Sequence, residues 1–283
     1  MCGHQFQSRQ RRGRCRAALW RDYVWRRRTL DQLALECDSS VNWVREQLAA
    51  VCVPLPPPAP RPIVLIIDAT FFSRGDGLLV AKDAHAGGIV YHAFIASETV
   101  ECYRTAKDTL EGLGYTVRAV VIDGRRGVRE LFRADDIPVQ HCQFHQLQAI
   151  TQCLTRRPRL EANRELRQIA MTLPGTTKTC LERDLAAWHS QWEAWLKERT
   201  YVEETSRWHY THRRTRRAYQ SLLRNLDYLF TYQEYPELEI PNTTNRLEGW
   251  FTDMKERTTV HRGARRSFRN KIILEVITRA HKP

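Results

Sequence analysis

Arg61 to Asp68, RPIVLIID, is a continuous apolar run rich in β-branched residues that ends on a carboxylate. Bounded by proline on one side and a turn on the other, such a run predicts a buried central strand. Val117 to Asp123, VRAVVID, repeats the arrangement and is followed at once by Gly124. Strand packing does not require an acid at the end of a buried run. A third acid, Glu248, stands in NTTNRLEGWF, where a turn and N-cap region opens a helix. Two strand-end aspartates and a helical glutamate suit a site for two divalent cations. Mg²⁺ takes carboxylate oxygens, and a bridged pair of ions stabilises both the attacking and the leaving oxygen of a phosphoryl transfer.

The distribution of charge points the same way. The chain has 283 residues, enough for one large domain with small appendages, and a formal net charge of +13. Residues 1–61 hold 11 Lys/Arg against 5 Asp/Glu, and residues 249–283 hold 9 against 3, while the stretch between is nearly balanced. Basic ends on a neutral middle favour a polyanionic partner, nucleic acid before others. Eight cysteines are scattered without a dense framework, which fits a reducing compartment. No apolar run is long enough to cross a membrane, and the polar, arginine-rich start is no signal peptide. A soluble, cytoplasmic protein is expected, with no membrane partner.

Residues 1–15 carry Cys2, Gly3 and Phe6, a CGxxF segment like the last knuckle of a zinc ribbon. Cys2, His4 and Cys15 supply three ligands at most where structural zinc needs four, so Zn²⁺ is not expected here. The alternative is a basic arm on phosphates. Residues 16–51 predict short helices, with Thr29 and Ser40 at N-cap positions and Leu30, Leu33, Leu35, Val41, Val44 and Leu48 as the apolar set. Two helices joined by a turn of about four residues suggest a helix-turn-helix. Its second helix would present Asn42, Trp43, Arg45 and Glu46 outward, types that read base edges; an ordinary helical hairpin is the alternative. Residues 52–62, CVPLPPPAPRP, hold six of the twelve prolines and predict a semi-rigid linker.

From 63 to 154 the expected order is three strands, helix, strand, helix, strand, helix. The strands are 61–68, 78–82, 89–96, 117–123 and 137–141; the helices are 101–113, 127–133 and 143–154. This order, with IDATF at the first acid, IDGRRG at the second, CQFH (Cys142, His145) after the fifth strand and TNRLEG at the glutamate, resembles the DDE insertion-sequence transposases of the bacterial branch of the Mutator superfamily. The resemblance covers residues 62 to the end. It implies an α/β, RNase H-like mixed five-stranded sheet with flanking helices, an all-α insertion domain over 155–240, and a return to the sheet domain over 241–283.

The same resemblance implies Asp68, Asp123 and Glu248 as catalytic metal ligands for Mg²⁺, with Mn²⁺ as a substitute, and Cys142 and His145 as supporting residues. It implies double-stranded DNA as partner, both terminal inverted repeats and target, bound in the nucleoid by a homodimer or larger assembly. Arg213, Arg214, Arg216 and Arg217 form a basic cluster that either clamps phosphates or is simply a solvated face. His261, Arg262, Arg265 and Arg266 fall in a basic segment like the family's DNA-contacting C-terminal region. Trp188, Trp192 and Trp195 fall on one helical face, as core or as a wedge that stacks on an unpaired base. Two other readings stay open: a transposase-derived DNA-binding protein that no longer cleaves, and an RNase H-like nuclease such as a junction resolvase.

Overall fold

The structure is a computed structural model that describes residues 15–280. In chain order these form α1 (Arg16–Val24), α2 (Leu30–Glu36), α3 (Val41–Ala49), β1 (Pro62–Ser73), β2 (Asp76–Asp83), β3 (Ile89–Ile95), α4 (Val100–Gly112), β4 (Thr116–Ile122), α5 (Arg126–Arg133) and β5 (Val139–His141). There follow α6 (Gln143–Leu154), α7 (Glu161–Met171), α8 (Lys178–Lys197), β6 (Arg199–Val202), β7 (Arg207–Tyr210), α9 (Arg213–Leu229), α10 (Thr231–Glu234), α11 (Asn245–Thr259) and α12 (Arg266–Arg279). The zinc-knuckle expectation lies, apart from Cys15, outside the described residues. The chain divides into two compact units, residues 1–57 with 250–283, and residues 58–249. The stretch expected to return to the sheet domain is thus split between them.

The smaller unit is helical. Thr29 closes a full capping box with Gln32, and the Ser40 side chain accepts from the Trp43 N–H, so both expected caps form. Each satisfies an orphan first-turn donor, worth about 1 kcal/mol. Leu33, Val44 and Leu48 are buried, as are Ile272, Ile273, Val276 and Ile277 of α12. Leu35, expected on the apolar set, is instead 84 % exposed. It lies two residues after Leu33, so on a helix the two point to different faces. Trp20 and Trp25 both donate their indole N–H to the Glu275 carboxylate, and Lys271 donates to the Leu48 and Ala49 carbonyls at the end of α3.

The larger unit is built on a five-stranded mixed sheet in the order β3-β2-β1-β4-β5. β1 pairs antiparallel with β2 and β2 with β3, while β1–β4 and β4–β5 are parallel. The central strands are buried on both faces, hence their unbroken apolar runs. Tyr103, Ala106 and Leu110 of α4, with Val128, Leu131 and Phe132 of α5, complete that core. Strand β1 does not end at Asp68, as expected, but runs on to Ser73. Thr70, Phe71 and Phe72 after the acid are strand formers, and β2 gives the segment a partner as far as Ser73 opposite Asp76. The parallel pairing with β4 stops earlier, at Ile66 opposite Val121. Beyond that point β1 and β4 are no longer bonded.

A second core joins α6, α7, α8 and α9, with Leu166, Leu181, Leu185, Trp188, Leu222 and Leu229 inside. The stretch 155–240 is not all-α. Strands β6 and β7 form an antiparallel hairpin, with Tyr201 opposite Trp208 and Arg199 opposite Tyr210. Its β-branched and aromatic residues, TYV and WHY, favour that pairing over the helices around it. Of the α8 tryptophans, Trp188 is in this core and Trp192 and Trp195 are half-buried against it. Trp188 is buried and donates to the Ala162 carbonyl, Trp192 donates to Glu165 at 2.6 Å, and Trp195 stacks on His212 at 3.4 Å between centroids.

Polar side chains tie the two cores together. Gln140 donates to the Leu229 carbonyl and accepts from the Tyr232 N–H. Gln143 donates to the same Leu229 carbonyl, and Gln146 accepts from Asn225. All three glutamines are buried, so each bond prevents the cost of an unmet amide.

Candidate metal centre

Asp68 leaves the middle of β1, His145 the first turn of α6, and Glu248 the first turn of α11. One ligand atom from each lies within 4.8 Å of the other two, the single such group among the described residues. His145 Nε2 stands 3.2 Å from Glu248 Oε1. The two carboxylates are 180 positions apart in the sequence, so only the fold unites them.

Asp123 is not within this group. It follows the end of β4, half-buried, and its Oδ1 accepts the N–H of Arg125, two residues on. That is a local turn bond of the kind aspartate makes readily. Its charge still reaches the site, because it is among the causes that raise the Asp68 pKa. Sequence reasoning placed Asp123 among the ligands and His145 in support; the distances place His145 among the candidate ligands and Asp123 at the margin.

Protonation follows from burial and charge. Burial pushes Asp68 up to about 7, against the opposing pull of His145 and the Ala69 N–H; Asp123 and Glu98 add to the rise. His145 is pushed up to about 9, first by its hydrogen bond with Cys142, then by the negative charge of Asp68 and Glu248, with burial opposing. At neutral pH an imidazolium therefore sits between two carboxyl groups. A divalent cation placed there would displace that proton and hold Asp68 ionised. Two carboxylates and an imidazole fit such an ion. Carboxylates suit Mg²⁺ and Mn²⁺, while the imidazole favours the softer of the two.

The C-x-x-H pair has a structural reason. Cys142 is fully buried, and its sulfur accepts the Thr244 N–H at 3.2 Å and lies 3.3 Å from Thr244 Oγ1. Burial alone would raise the thiol pKa, but hydrogen bonds with His145 and Thr244 outweigh it and the net shift is downward. Thr244 in turn accepts, through its carbonyl, the N–H of Glu248. Gln143 and Asn242 exchange two further bonds, Gln143 N–H to the Asn242 carbonyl and Asn242 Nδ2 to Gln143 Oε1. CQFH and PNTTN are therefore two halves of one clasp. Cysteine fixes the start of the glutamate's helix, and histidine, one turn later, meets the glutamate.

The IDG motif is equally local. Gly124 has φ +86°, and a Cβ there would fall 1.7 Å from the His141 ring. Only glycine lets the chain leave β4 across that buried ring. Burial, with the positive charge of Arg129 and His145, drives His141 down to about 3, so it is neutral.

Three residues of the site escaped the sequence reading. Glu98 accepts from Tyr103 at 2.6 Å, pairs with Arg125 at 3.0 Å, and adds negative charge near Asp68. Arg129 donates to the Gly124 carbonyl and to Asn225 on α9, with its guanidinium 4.0 Å above the Tyr228 ring. Thr244 was legible only as part of a turn. Arg129 and Asn225 carry no local signal, since their meeting spans 96 residues.

The expected nucleic-acid contacts divide. Asn42 and Arg45 are exposed on α3 and bonded to each other at 2.7 Å, while Trp43 is half-buried. Arg262, Arg265 and Arg266 are exposed. His261 is not: it is buried, stacked on Tyr23 at 3.7 Å, with Nε2 3.1 Å from the Tyr23 carbonyl. Its neighbours in the basic run masked a core position. Arg213, Arg214 and Arg217 are exposed, but Arg216 points inward, donating to the Leu196 carbonyl and lying 3.7 Å above the Tyr210 ring. Arg216 borders the packed stripe next to the buried Thr215, so its half-buried side chain reaches the Leu196 carbonyl and the Tyr210 ring instead of solvent.

No protein-family model matches the chain, and no curated protein does. Among the described residues no helix is long and apolar enough to cross a membrane.

Proposed function

We propose that the chain is a metal-dependent DNA strand-transfer enzyme of the DDE transposase class that its motifs resemble. The observation that carries this reading is the meeting of Asp68, His145 and Glu248 within ligand distance. Support also comes from the sheet. Three antiparallel strands followed by two in parallel, with acids on the adjacent β1 and after β4, are what an RNase H-like core requires. The capped pair α2 and α3, with exposed Asn42 and Arg45, suits a helix-turn-helix that reads the element's ends.

In this reading Asp68 and Glu248 would hold a divalent ion, and Asp123, released from its Arg125 bond, would help to hold a second. When bound, the ions activate water or a 3′-hydroxyl and stabilise the leaving oxygen. The chain's own part is positional. The Cys142–Thr244 clasp fixes the height of Glu248, Gly124 gives the Asp123 loop its exit, and His145 exchanges its proton for the cation. DNA ends and target DNA are the partners, with two chains expected on paired ends.

The test is Mg²⁺- or Mn²⁺-dependent cleavage and joining on the inverted repeats that flank the reading frame. Cleavage lost in Asp68→Asn is the expected result. A second reading, a DNA-binding protein without cleavage, is favoured by the position of Asp123 outside the ligand group. It wins if the unaltered chain binds those ends but never cuts with either ion.

A further inference from the structure

The end of α6, the connection to α7, strand β7 and the first turn of α9 line an open cavity of about 510 Å³. None of Asp68, His145 and Glu248 lines it. Its wall carries Arg157, Arg159, Arg213 and Arg214, together with His209 and His212, and no Asp or Glu. Elsewhere in this unit Arg61 is matched with Asp83 at 2.8 Å and Arg125 with Glu98 at 3.0 Å, while Arg129 and Arg216 bond to carbonyls. Four guanidinium groups around one acid-free hollow repel one another unless an anion sits among them.

The wall is held in place. Thr215 Oγ1 donates to Asn163 at 2.6 Å, joining α9 to α7 across the cavity floor. Arg214 is pinned to the Gln152 carbonyl. His212 is fixed on the wall, with Nε2 2.8 Å from Glu198 and its ring on Trp195. As N-cap it leaves the first turn of α9 without a side-chain acceptor, so the N–H groups there add to the positive potential.

We propose that this cavity seats phosphodiester oxygens of a DNA backbone, a contact of the helical region distinct from the carboxylate centre. The volume admits a nucleotide-sized group, and arginine's planar fork matches a phosphate in two bonds. That the phosphate belongs to DNA, not to a small phosphorylated molecule, rests on the function proposed above.

The experiment uses the full chain in EDTA, so that no step depends on the metal. Binding of a labelled DNA duplex is followed against salt for the unaltered chain, for Arg157→Ala/Arg159→Ala/Arg213→Ala, and for Arg104→Ala/Arg118→Ala/Arg224→Ala. The last set removes equal charge at exposed positions of the same unit away from the cavity. The cavity variant should lower the slope of log K against log[salt] by about 2–3, since each lost phosphate contact removes roughly 0.9. The control set should leave the slope near that of the unaltered chain. Equal losses in the two sets, or an unchanged slope in the cavity variant, overturn the proposal.

Inorganic phosphate that raises the Tm of the unaltered chain but not of the variant, with DNA binding equal in both, makes the occupant a free phosphate and also overturns it. Should the triple variant melt early, Arg159→Glu must weaken DNA binding more than Arg118→Glu. Asp68→Asn must keep the full salt slope. A cleavage defect there concerns the carboxylate centre alone, whereas an unaltered chain that binds no DNA defeats the proposed function itself.

Discussion

The stretch through Asp68 and the stretch through Asp123 look alike as sequence and differ in the course of the chain beyond the acid. After Asp68 the chain finds β2 beside it and stays in the sheet to Ser73. After Asp123 there is no such partner; Gly124 turns the chain over His141, and the aspartate bonds its own loop. One carboxyl is therefore buried, rigid and held near pKa 7, while the other is half-solvated. A buried acid costs stability when ionised and gains most from a cation; an acid on a loop can come and go. In the proposed function this contrast makes Asp68 the fixed ligand and Asp123 the adjustable one.

The largest expected effect is on rate. Asp68→Asn should lower Mg²⁺-dependent cleavage by about 10³-fold or more, the scale of several kcal/mol of metal stabilisation. Asp123→Asn should lower it too. Only Asp68→Asn should abolish the Tm rise that Mn²⁺ gives the folded chain; an equal loss in Asp123→Asn would erase the distinction between fixed and adjustable ligand.

Next comes the turn. Gly124→Ala forces a left-handed φ and a clash with His141, and should cost about 3 kcal/mol in urea unfolding. Gly75, in the turn from β1 to β2 at φ +74°, meets nothing within 4 Å, so Gly75→Ala should cost only about 1 kcal/mol.

Cys142→Ala strips the buried Thr244 N–H of its acceptor, a cost of about 1–3 kcal/mol, and should slow cleavage by loosening Glu248. Cys142→Ser should restore part of both.

A further effect is in pH. The Asp68 pKa is raised in the fold, so its contribution to stability is complete below its ordinary value near 4 and is lost as pH climbs through about 7. His145, raised to about 9, adds a loss of the same sign between its ordinary value and 9. Metal-free protein should therefore melt lower at pH 8 than at pH 5.5, Asp68→Asn should lessen that fall, and Mn²⁺ should raise Tm more at pH 8.

How far each feature could be read from the sequence depends on the range of the interaction behind it. Strand runs, helix caps at Thr29 and Ser40, and the acids were readable because each is set within a few residues. The C-x-x-H pair was readable as chemistry, but its clasp on Thr244 was not, since the partner lies 102 residues away. The β6–β7 hairpin was hidden because four-residue strands between long helices leave little alternation to detect. The inward turns of His261 and Arg216 were hidden because a basic run gives no hint of which member is packed. The tryptophan of the helical region most open to solvent is Trp208, 65 % exposed on β7, and nothing in its local sequence signals this.

The buried glutamines that join the two cores of the larger unit have a consequence for engineering. Cutting out residues 155–240 would remove the Leu229 carbonyl and the Asn225 side chain to which Gln140, Gln143, Gln146 and Arg129 are bonded. A trimmed variant would also expose Ile150 and Leu154 of α6, which the helical core now covers. The helical region is thus a second foundation of the unit, not a detachable annex.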